Sequence, residues 1–373
     1  MKIVLMVSSM NAGGAERVAA TLSNAWVAQG HQVVLMPTYP VKGKSFYPLS
    51  PSVQLAWLAD RLGSRAKSIF SPLWKLREMR RFIIESQPDV VVSFLTNVNV
   101  MTLLASWGLN VPVVVCERTN PAVSTSSGRV LSFMRRLLYP RASAVSVQTQ
   151  ATAQSFATMV AGMPRLDVLP NPLPPDLEAM APATLQPDSQ GRFRIVAMGR
   201  LQANKRFDRL VDMFARLQAD FPDWDLHIFG EGPMRHQLEA QVRELGLGRR
   251  VYLPGRTPSA WSELQRGSVF AMTSAVEGFP NALLEAMALG LPAVVFDCPS
   301  GPREMTNNGQ YGILVPPGDE AAFITGLRAL VGDASKRAAM GADAAAAMRQ
   351  RYSVSQVLAQ WDRVFSKVVM RHD

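Results

Sequence analysis

The strongest constraint on the fold is a pattern that runs through the first half of the chain and then begins again. Short apolar runs alternate with stretches in which apolar residues recur at helical spacing, and the joins are short. Lys2–Val7 begins the pattern, followed by a helix-like stretch at 15–29 and an apolar run at 31–36. Strand, helix and strand joined in this way predict a parallel sheet. The pattern restarts at 193–198, so the sequence predicts an α/β protein with two doubly wound domains.

A proline-rich stretch separates the two halves. Residues 171–190 lack apolar periodicity, which is typical of a linker between domains. We therefore expect a first domain at 1–170 and a second at 191–351, each large enough in this 373-residue chain to bury a core. Ligand sites of doubly wound sheets lie at the carboxyl ends of the strands, so the two sites are expected to face each other across a cleft.

Composition argues against several classes of protein. No apolar run reaches the ~18 residues that a membrane span needs. The apolar start at 1–7 is too short for the core of a signal peptide. The two cysteines, Cys116 and Cys298, fit no metal or disulfide framework, which favours a reducing, cytoplasmic compartment.

The formal net charge of +10 is concentrated in the first part of the chain. Residues 1–150 contain 16 Lys/Arg and 6 Asp/Glu, whereas the remainder contains 23 of each kind. Two basic segments with interleaved apolar residues, 61–82 and 129–141, carry much of the excess. Each suits either an anionic membrane surface or a solvated helix face packed on a core. No nucleic-acid-binding module is recognisable, so nucleic acid is not expected as a partner.

The residues that point most directly to chemistry lie at 276–285. Glu277 falls in a glycine/proline turn after an apolar strand at 269–272, and Glu285 falls near the start of a predicted helix at 281–289. A helix N-terminus exposes unpaired N–H groups that suit phosphate. A carboxylate accepts hydrogen bonds from vicinal hydroxyls. Phosphate on the amides and hydroxyls on the carboxylates together describe a nucleotide sugar.

Three other clusters are expected at strand ends. Arg200 and Lys205 follow the first strand of the second half and are either diphosphate ligands or a surface pair. Gly13-Gly14 follows the first strand of the chain and permits either close ligand approach or a tight turn. Glu117-Arg118 and Asn120 follow the strand at 113–116, where ligands bind, although Glu117 and Arg118 could simply pair.

Taken together, these motifs resemble a known family. Gly199-Arg200-Leu201 with Lys205, Gly230-Glu231-Gly232-Pro233, and Glu277–Asn281 with Glu285 are similar to the retaining glycosyltransferases of family four, and the loop at 11–17 is similar to that family's amino-terminal loop. The resemblance implies the GT-B fold of two Rossmann-like domains. It also implies that the final helix, 352–373, packs back on the first domain.

The resemblance assigns roles to residues. Glu277 would contact hydroxyls of the donor sugar and Glu285 the ribose. The backbone of Gly278, Phe279, Pro280 and Asn281, with Arg200 and Lys205, would hold the diphosphate. Glu277, Arg200 and Lys205 are the expected catalytic residues, and the expected donor site also includes Gly13, Gly14 and Arg256.

The Glu-Arg-x-Asn sequence at 117–120 resembles the subgroup that builds lipid-linked bacterial glycans, which includes N-acetylgalactosaminyltransferases. The implied reaction moves a sugar, with retention, from UDP-hexose or UDP-N-acetylhexosamine to a lipid-linked acceptor. It would serve surface polysaccharide, lipopolysaccharide or glycoprotein glycan synthesis at the inner face of the cell membrane. Glu117, Arg118 and Asn120 are assigned to the acceptor, with Glu117 open to sugar contact or to pairing with Arg118.

No cofactor or metal is expected. Asp223 and Asp225 have Asp-x-Asp spacing but precede a strand, so we interpret them as part of a turn; Arg200, Lys205 and the helix N-terminus would replace a metal. Three alternatives stay open. They are a GT-B sugar-nucleotide 2-epimerase, a non-catalytic membrane-associated nucleotide-sugar binding protein and a dehydrogenase. The dehydrogenase is disfavoured because the dinucleotide-binding pattern Gly-x-Gly-x-x-Gly, read from Gly230, has Arg235 in place of its third glycine.

Overall fold

The structure is a computed structural model that describes residues 1–39, 43–64, 71–122, 128–160, 162 and 165–370. The chain forms two compact units, Met1–Pro172 with Val354–Asp373 and Leu173–Ser353. Each unit contains a parallel sheet with helices, so the predicted fold class of two doubly wound α/β domains is confirmed.

The first unit has a seven-stranded sheet in the order β3-β2-β1-β4-β5-β6-β7, in which neighbouring strands are parallel. Its strands are β1 (Lys2–Val7), β2 (Gln32–Pro37), β3 (Val53–Leu55), β4 (Val90–Phe94), β5 (Val113–Cys116), β6 (Ala144–Val147) and β7 (Leu166–Val168). Its helices are α1 (Gly14–Ala28), α2 (Leu58–Leu62), α3 (Ser71–Ser86), α4 (Thr96–Ala105), α5 (Gly128–Leu138), α6 (Gln150–Met159) and, at the end of the chain, α15 (Val354–Val369).

Both faces of this sheet are buried, and successive strand residues, which point to opposite sides, contribute to two separate cores. Leu5 joins a core with α1 and α15, whereas Met6 joins a second core on the other face. The indole rings of Trp26 in α1 and Trp361 in α15 meet edge to face with centroids 5.3 Å apart. The last helix therefore belongs to the first unit.

The second unit has a six-stranded parallel sheet in the order β10-β9-β8-β11-β12-β13. Its strands are β8 (Phe193–Met198), β9 (Trp224–Phe229), β10 (Val251–Gly255), β11 (Val269–Met272), β12 (Ala293–Phe296) and β13 (Ile313–Val315). Its helices are α7 (Pro175–Ala179), α8 (Phe207–Leu217), α9 (Arg235–Glu244), α10 (Ala260–Gln265), α11 (Asn281–Ala288), α12 (Pro302–Met305), α13 (Glu320–Val331) and α14 (Ala334–Tyr352).

The stretch predicted as a linker, 171–190, is packed for much of its length on the second unit. Leu173 and Leu177 are fully buried in the core of that unit. The amide of Ala183 donates to the carbonyl of Leu289 at 2.7 Å. The prolines interrupt apolar periodicity, but Leu177 buries one side of the short helix α7, and Leu173 is buried just before that helix begins.

Residues 96–99, three of them polar, form the first turn of α4. Asn99 is fully buried, and its amide nitrogen donates to the carbonyl of Cys116 and to the hydroxyl of Tyr139. The buried side chains of Thr96 and Asn99 bond inside the fold, so their polarity does not mark a surface loop. Within the described ranges, no helix combines the length and the apolar character needed to cross a membrane.

Candidate functional site

Four loops of the second unit meet at the carboxyl ends of β8, β9, β10 and β11. Backbone hydrogen bonds tie each loop to a neighbour. They run from Gly199 N to Phe229 O (3.0 Å), Leu201 N to Glu231 O (3.0 Å), Gly230 N to Gly255 O (2.9 Å) and Ala275 N to Asn204 O (2.8 Å). Most of the donor residues expected from the sequence lie on these loops, so the structure brings them to one edge of one sheet.

Gly230 and Gly232 allow the loop after β9 to approach the loop after β8. A Cβ atom on Gly230 would lie 1.8 Å from the carbonyl oxygen of Gly199, and the φ angle of Gly230 is 144°. A Cβ on Gly232 would lie 2.3 Å from the carbonyl oxygen of Leu201. Both positions require glycine on steric grounds. The contact fixes the backbone that carries the exposed side chain of Arg200.

Lys205 and Glu277 form an ion pair across the site. The Nζ atom of Lys205 lies 2.5 Å from Oε1 of Glu277, and the hydroxyl of Ser274 donates to the same oxygen at 2.6 Å. The side chains of Lys205 and Glu277 keep 21% and 10% of their surface exposed. Both groups are thus oriented in advance yet still accessible to a ligand.

The N-terminus of α11 lies directly after Glu277. Helix α11 begins at Asn281, and within the described residues no side chain caps it. Pro280 packs on Gly301, where an added Cβ would lie 2.3 Å from Cδ of the proline and where φ is 115°. Because the first-turn amides of a helix have no intrahelical acceptors, this end of α11 suits an anionic group.

Glu285 lies within α11 and is only 2% exposed. The indole nitrogen of Trp261 in α10 donates to its Oε2 atom at 3.1 Å. The expected ribose contact of Glu285 stays a prediction. Trp261 and Ser274, which hold the two carboxylates, were not predicted from the sequence. An indole in an amphipathic helix needs an acceptor for its N–H, and that is the signal that could have indicated Trp261.

Arg256 follows β10 and is exposed, as a ligand for the donor would need to be. Its charge acts on Glu231, whose pKa is lowered chiefly by hydrogen bonds from Arg235. Arg235 donates from Nε at 2.7 Å and from Nη2 at 2.6 Å to the two carboxylate oxygens of Glu231. Arg235, which stands in place of the third glycine of a dinucleotide-binding pattern, therefore stabilises the loop after β9.

Glu117 is buried in the first unit. The hydroxyl of Thr96 lies 3.0 and 2.9 Å from its two oxygens, and the hydroxyl of Tyr139 donates to Oε1 at 2.6 Å. Burial raises the pKa of Glu117, although these bonds and the charge of Arg135 at 3.8 Å oppose the rise. The pairing of Glu117 with Arg118, one of the options left open by the sequence, is not what the structure shows.

Arg118 and Asn120 are also interior residues, 8% and 3% exposed. The guanidinium carbon of Arg118 lies 3.5 Å from the ring centroid of Phe94, and Nη1 donates to the Oδ1 atom of Asn171 at 2.7 Å. Asn120 Oδ1 accepts from the amide of Ala122. These contacts stabilise the fold and leave little surface for an acceptor.

Gly13 and Gly14 lie in the first unit at the start of α1. The carbonyl of Gly13 accepts from the amide of Arg17, and the hydroxyl of Ser9 donates to Glu16. Their assignment to the donor stays a prediction.

Asp225, half of the Asp-x-Asp sequence, lies in β9 rather than in a turn. Its carboxylate accepts from the guanidinium groups of Arg192 and Arg250. Asp223 lies in the turn before β9, as predicted, whereas Asp225 belongs to a charge cluster at the start of the strand. Over the residues that can be described, no group of three or more His, Cys, Asp or Glu side chains could hold a metal ion.

Comparison with known families agrees with this architecture. Residues 13–172 match the family described as "Glycosyl transferase 4-like domain", and residues 186–347 match "Glycosyl transferases group 1". The two matches divide the chain much as its two units do.

Two relatives and one solved structure extend the comparison. The GalNAc-alpha-(1->4)-GalNAc-alpha-(1->3)-diNAcBac-PP-undecaprenol alpha-1,4-N-acetyl-D-galactosaminyltransferase of Campylobacter jejuni is 26% identical over 370 residues, which cover 99% of each chain. The exopolysaccharide phosphotransferase SCO2592 of Streptomyces coelicolor is 26% identical, but the present chain spans only 41% of its length. The structure of Anabaena Alr3699/HepE in complex with UDP and glucose superposes with a TM-score of 0.80 at 20% identity, over 98% of this chain and 99% of that one.

Proposed function

Because the chain belongs to the GT-B glycosyltransferases, with a glycosyltransferase 4-like domain followed by a group 1 domain, we propose a specific reaction for it. It transfers a hexose or N-acetylhexosamine from UDP to the glycan of a lipid-linked acceptor, with retention at the anomeric carbon. The observation that carries the proposal is the pairing of Lys205 with Glu277 beside the N-terminus of α11. In the proposed donor complex, the cation of Lys205 contacts the diphosphate and the carboxylate of Glu277 contacts hydroxyls of the attached sugar.

The diphosphate is proposed to bind between Arg200, Lys205 and the first amides of α11. Lys205 has three N–H donors, so one can stay on Glu277 while the others reach phosphate oxygens. The fork of Arg200 suits bidentate contact with phosphate. The complex of Anabaena HepE with UDP and glucose supports UDP as the nucleotide.

Catalysis in this proposal rests on stabilising the leaving group. The bond between the anomeric carbon and the diphosphate breaks, and negative charge develops on the departing oxygen. In this proposal Lys205, Arg200 and the α11 amides donate to that oxygen, and one such preorganised donor contributes roughly 10²–10³-fold in rate. No metal is required in this scheme because these cations neutralise the diphosphate.

The acceptor hydroxyl forms the new bond on the face that the diphosphate leaves, which retains the configuration. Its proton passes to the departing diphosphate oxygen, so atoms and charges balance. Glu277 accepts hydrogen bonds from sugar hydroxyls and holds the anomeric carbon in place.

The acceptor is proposed to bind the first unit away from the buried Glu117. A cavity of about 180 Å³ lies near the ends of β1 and β2 and the start of α4, with Ser8, Tyr39, Lys75 and Asn97 among its lining residues. Hydroxyl, amide and aromatic groups placed together suit a sugar. The name of the Campylobacter relative supports a glycan on undecaprenyl diphosphate as the acceptor class, so the enzyme would work at the inner membrane surface.

A screen of nucleotide sugars by thermal shift, followed by mass analysis with a lipid-linked acceptor, tests the proposal. We expect a UDP-sugar to raise the melting temperature and the acceptor to gain the mass of one sugar. Conversion of the donor to an isomeric nucleotide sugar without acceptor would support an epimerase instead. Binding without any product would support a non-catalytic nucleotide-sugar binding protein.

A further inference from the structure

Helix α5 has an apolar face that the core does not use. Val130, Phe133 and Leu137 are 75%, 65% and 50% exposed. Their spacing of three and four residues places them on one side of the helix. Arg135 and Leu138 are the buried residues of α5 and anchor its other side. The outer apolar side chains are therefore free to contact another apolar medium.

Trp107 extends this surface at the carboxyl end of α5. Its side chain is 52% exposed, and the guanidinium of Arg141 lies 4.3 Å from its ring centroid. Arg141 Nη1 also donates to the carbonyl of Leu137 at 2.9 Å. We call Val130, Phe133, Leu137 and Trp107 the α5 face. Tryptophan is enriched where one side of a surface is apolar and the other is wet.

Basic residues flank the α5 face. Arg129 and Arg136 each precede a member of the apolar stripe by one residue, so both lie along the same side of it, and both are exposed. Within the part of the chain that is described, neither guanidinium takes part in an ion pair or hydrogen bond. Residues 128–141 contain no Asp or Glu. The surface therefore combines apolar area with uncompensated positive charge.

The described part of the other basic segment, 61–82, is organised differently. Arg61 bonds Glu85 at 2.6 Å, and Arg81 bonds Glu78 at 3.3 Å. Phe82 is buried in the core. In the described part of this segment, ion pairs and core packing occupy several of the side chains, whereas 129–141 presents an exposed apolar stripe beside basic residues that are unpaired within the described ranges.

We propose that the α5 face docks on a bilayer that contains anionic phospholipid. Val130, Phe133, Leu137 and Trp107 enter the interfacial region, while Arg129, Arg136 and Arg141 contact lipid phosphates. This assignment rests on the proposed function, because an acceptor held in a membrane requires the enzyme to work at its surface.

Vesicle co-sedimentation of the full chain tests the assignment, with vesicles of neutral phospholipid alone or mixed with anionic phospholipid. We expect binding to the anionic vesicles, and we expect binding to neutral vesicles to be weaker by at least roughly tenfold. The double variant F133S/L137S should lose at least about tenfold in partitioning. The variant R129Q/R136Q should lose roughly 25-fold on anionic vesicles, because each basic residue near such a surface contributes about fivefold.

Matched controls keep the result specific. Leu73 on α3 is as exposed as Phe133, at 65%, so L73S should bind vesicles like the unmodified chain. Arg243 and Arg249 are exposed in the second unit, and R243Q/R249Q should do the same. Equal binding of F133S/L137S and the unmodified chain, or equal binding to neutral and anionic vesicles, overturns the assignment. The assignment is also overturned if the unmodified chain does not bind vesicles but forms a dimer that F133S/L137S abolishes, since the α5 face would then join two copies.

The proposed function can fail separately. F133S/L137S should still show a thermal shift with the nucleotide sugar and still glycosylate a short water-soluble acceptor, while transfer to a vesicle-embedded acceptor falls. If the unmodified chain binds vesicles but transfers sugar to neither acceptor, the proposed function is refuted while the docking surface stands.

Discussion

The Nζ atom of Lys205 lies 2.5 Å from Oε1 of Glu277, although 72 residues separate them in the chain. The contact joins the loop after β8 to the loop after β11, and these two strands are neighbours in the sheet. A hydroxyl from Ser274 shares the same carboxylate oxygen. The pair thus places a cation and a hydrogen-bond acceptor at one point before any ligand binds.

Replacing Lys205 by Ala should lower sugar transfer by at least about a hundredfold, because a donor aimed at the leaving diphosphate is lost. The melting temperature should change little, since a partly exposed ion pair contributes about 0–1 kcal/mol. Steady-state kinetics and a thermal melt check both points. An equivalent change at the exposed Arg243, on α9, serves as the control and should leave the rate unchanged.

Trp261→Phe should weaken UDP binding by about tenfold, because it removes the hydrogen bond that holds Glu285 while keeping an aromatic ring in place. Isothermal titration with UDP gives the comparison. Trp361→Phe is the matched control, since the buried indole nitrogen of Trp361 has no hydrogen-bond partner among the described residues. Equal UDP affinities in the two variants would show that Glu285 does not need Trp261.

Gly230→Ala should destabilise the second unit by roughly 2–4 kcal/mol, because the new methyl group would overlap the backbone of Gly199 and because φ is 144°. Gly246→Ala provides the control for φ alone, with φ at 68° and open space around it, and should cost about 1–2 kcal/mol. Urea unfolding measures both. Similar losses in the two variants would mean that the loops after β8 and β9 separate easily.

Glu117→Gln should become more stable relative to the unmodified protein as pH rises. Burial raises the pKa of Glu117 above its ordinary value of 4.5. The folded state therefore holds this proton more tightly, and that stabilisation is full below pH 4.5 and is lost as pH climbs to the raised pKa. Glutamine does not titrate, so the variant does not lose stability in this way.

Melting temperatures of the Glu117→Gln variant and the unmodified protein, taken at steps between pH 5 and pH 8.5, test the direction. Other titrating groups are common to both proteins and cancel in the difference. A difference in melting temperature that stays constant with pH would mean that burial does not raise the pKa of Glu117 in the folded protein.

The elements around the donor site could be predicted because their signals are local. The apolar runs at 193–198 and 269–272 correspond to β8 and β11 without any shift in their bounds. The roles of Lys205 and Glu277 came from motifs, whereas their contact depends on β8 lying next to β11. That neighbour relation joins distant parts of the chain and leaves no local pattern.

Elements held by tertiary contacts were missed. Strands β3 and β7 have three residues each and pair only at the edges of the first sheet. Glu117 follows a buried strand, where ligands bind, and its partners in the structure are Thr96 and Tyr139 from other elements, which no local pattern indicates. The role of a charged residue at a strand end cannot be assigned from sequence until the residues that pack around its side chain are known.

The most direct test of the central claim compares the unmodified chain with Glu277→Ala on a UDP-sugar and a lipid-linked glycan. Product mass is followed with time, and UDP affinity is measured in parallel. The donor-site assignment predicts that the variant binds UDP within a few-fold of normal but adds sugar at least about a hundredfold more slowly. Undiminished transfer by Glu277→Ala would contradict it.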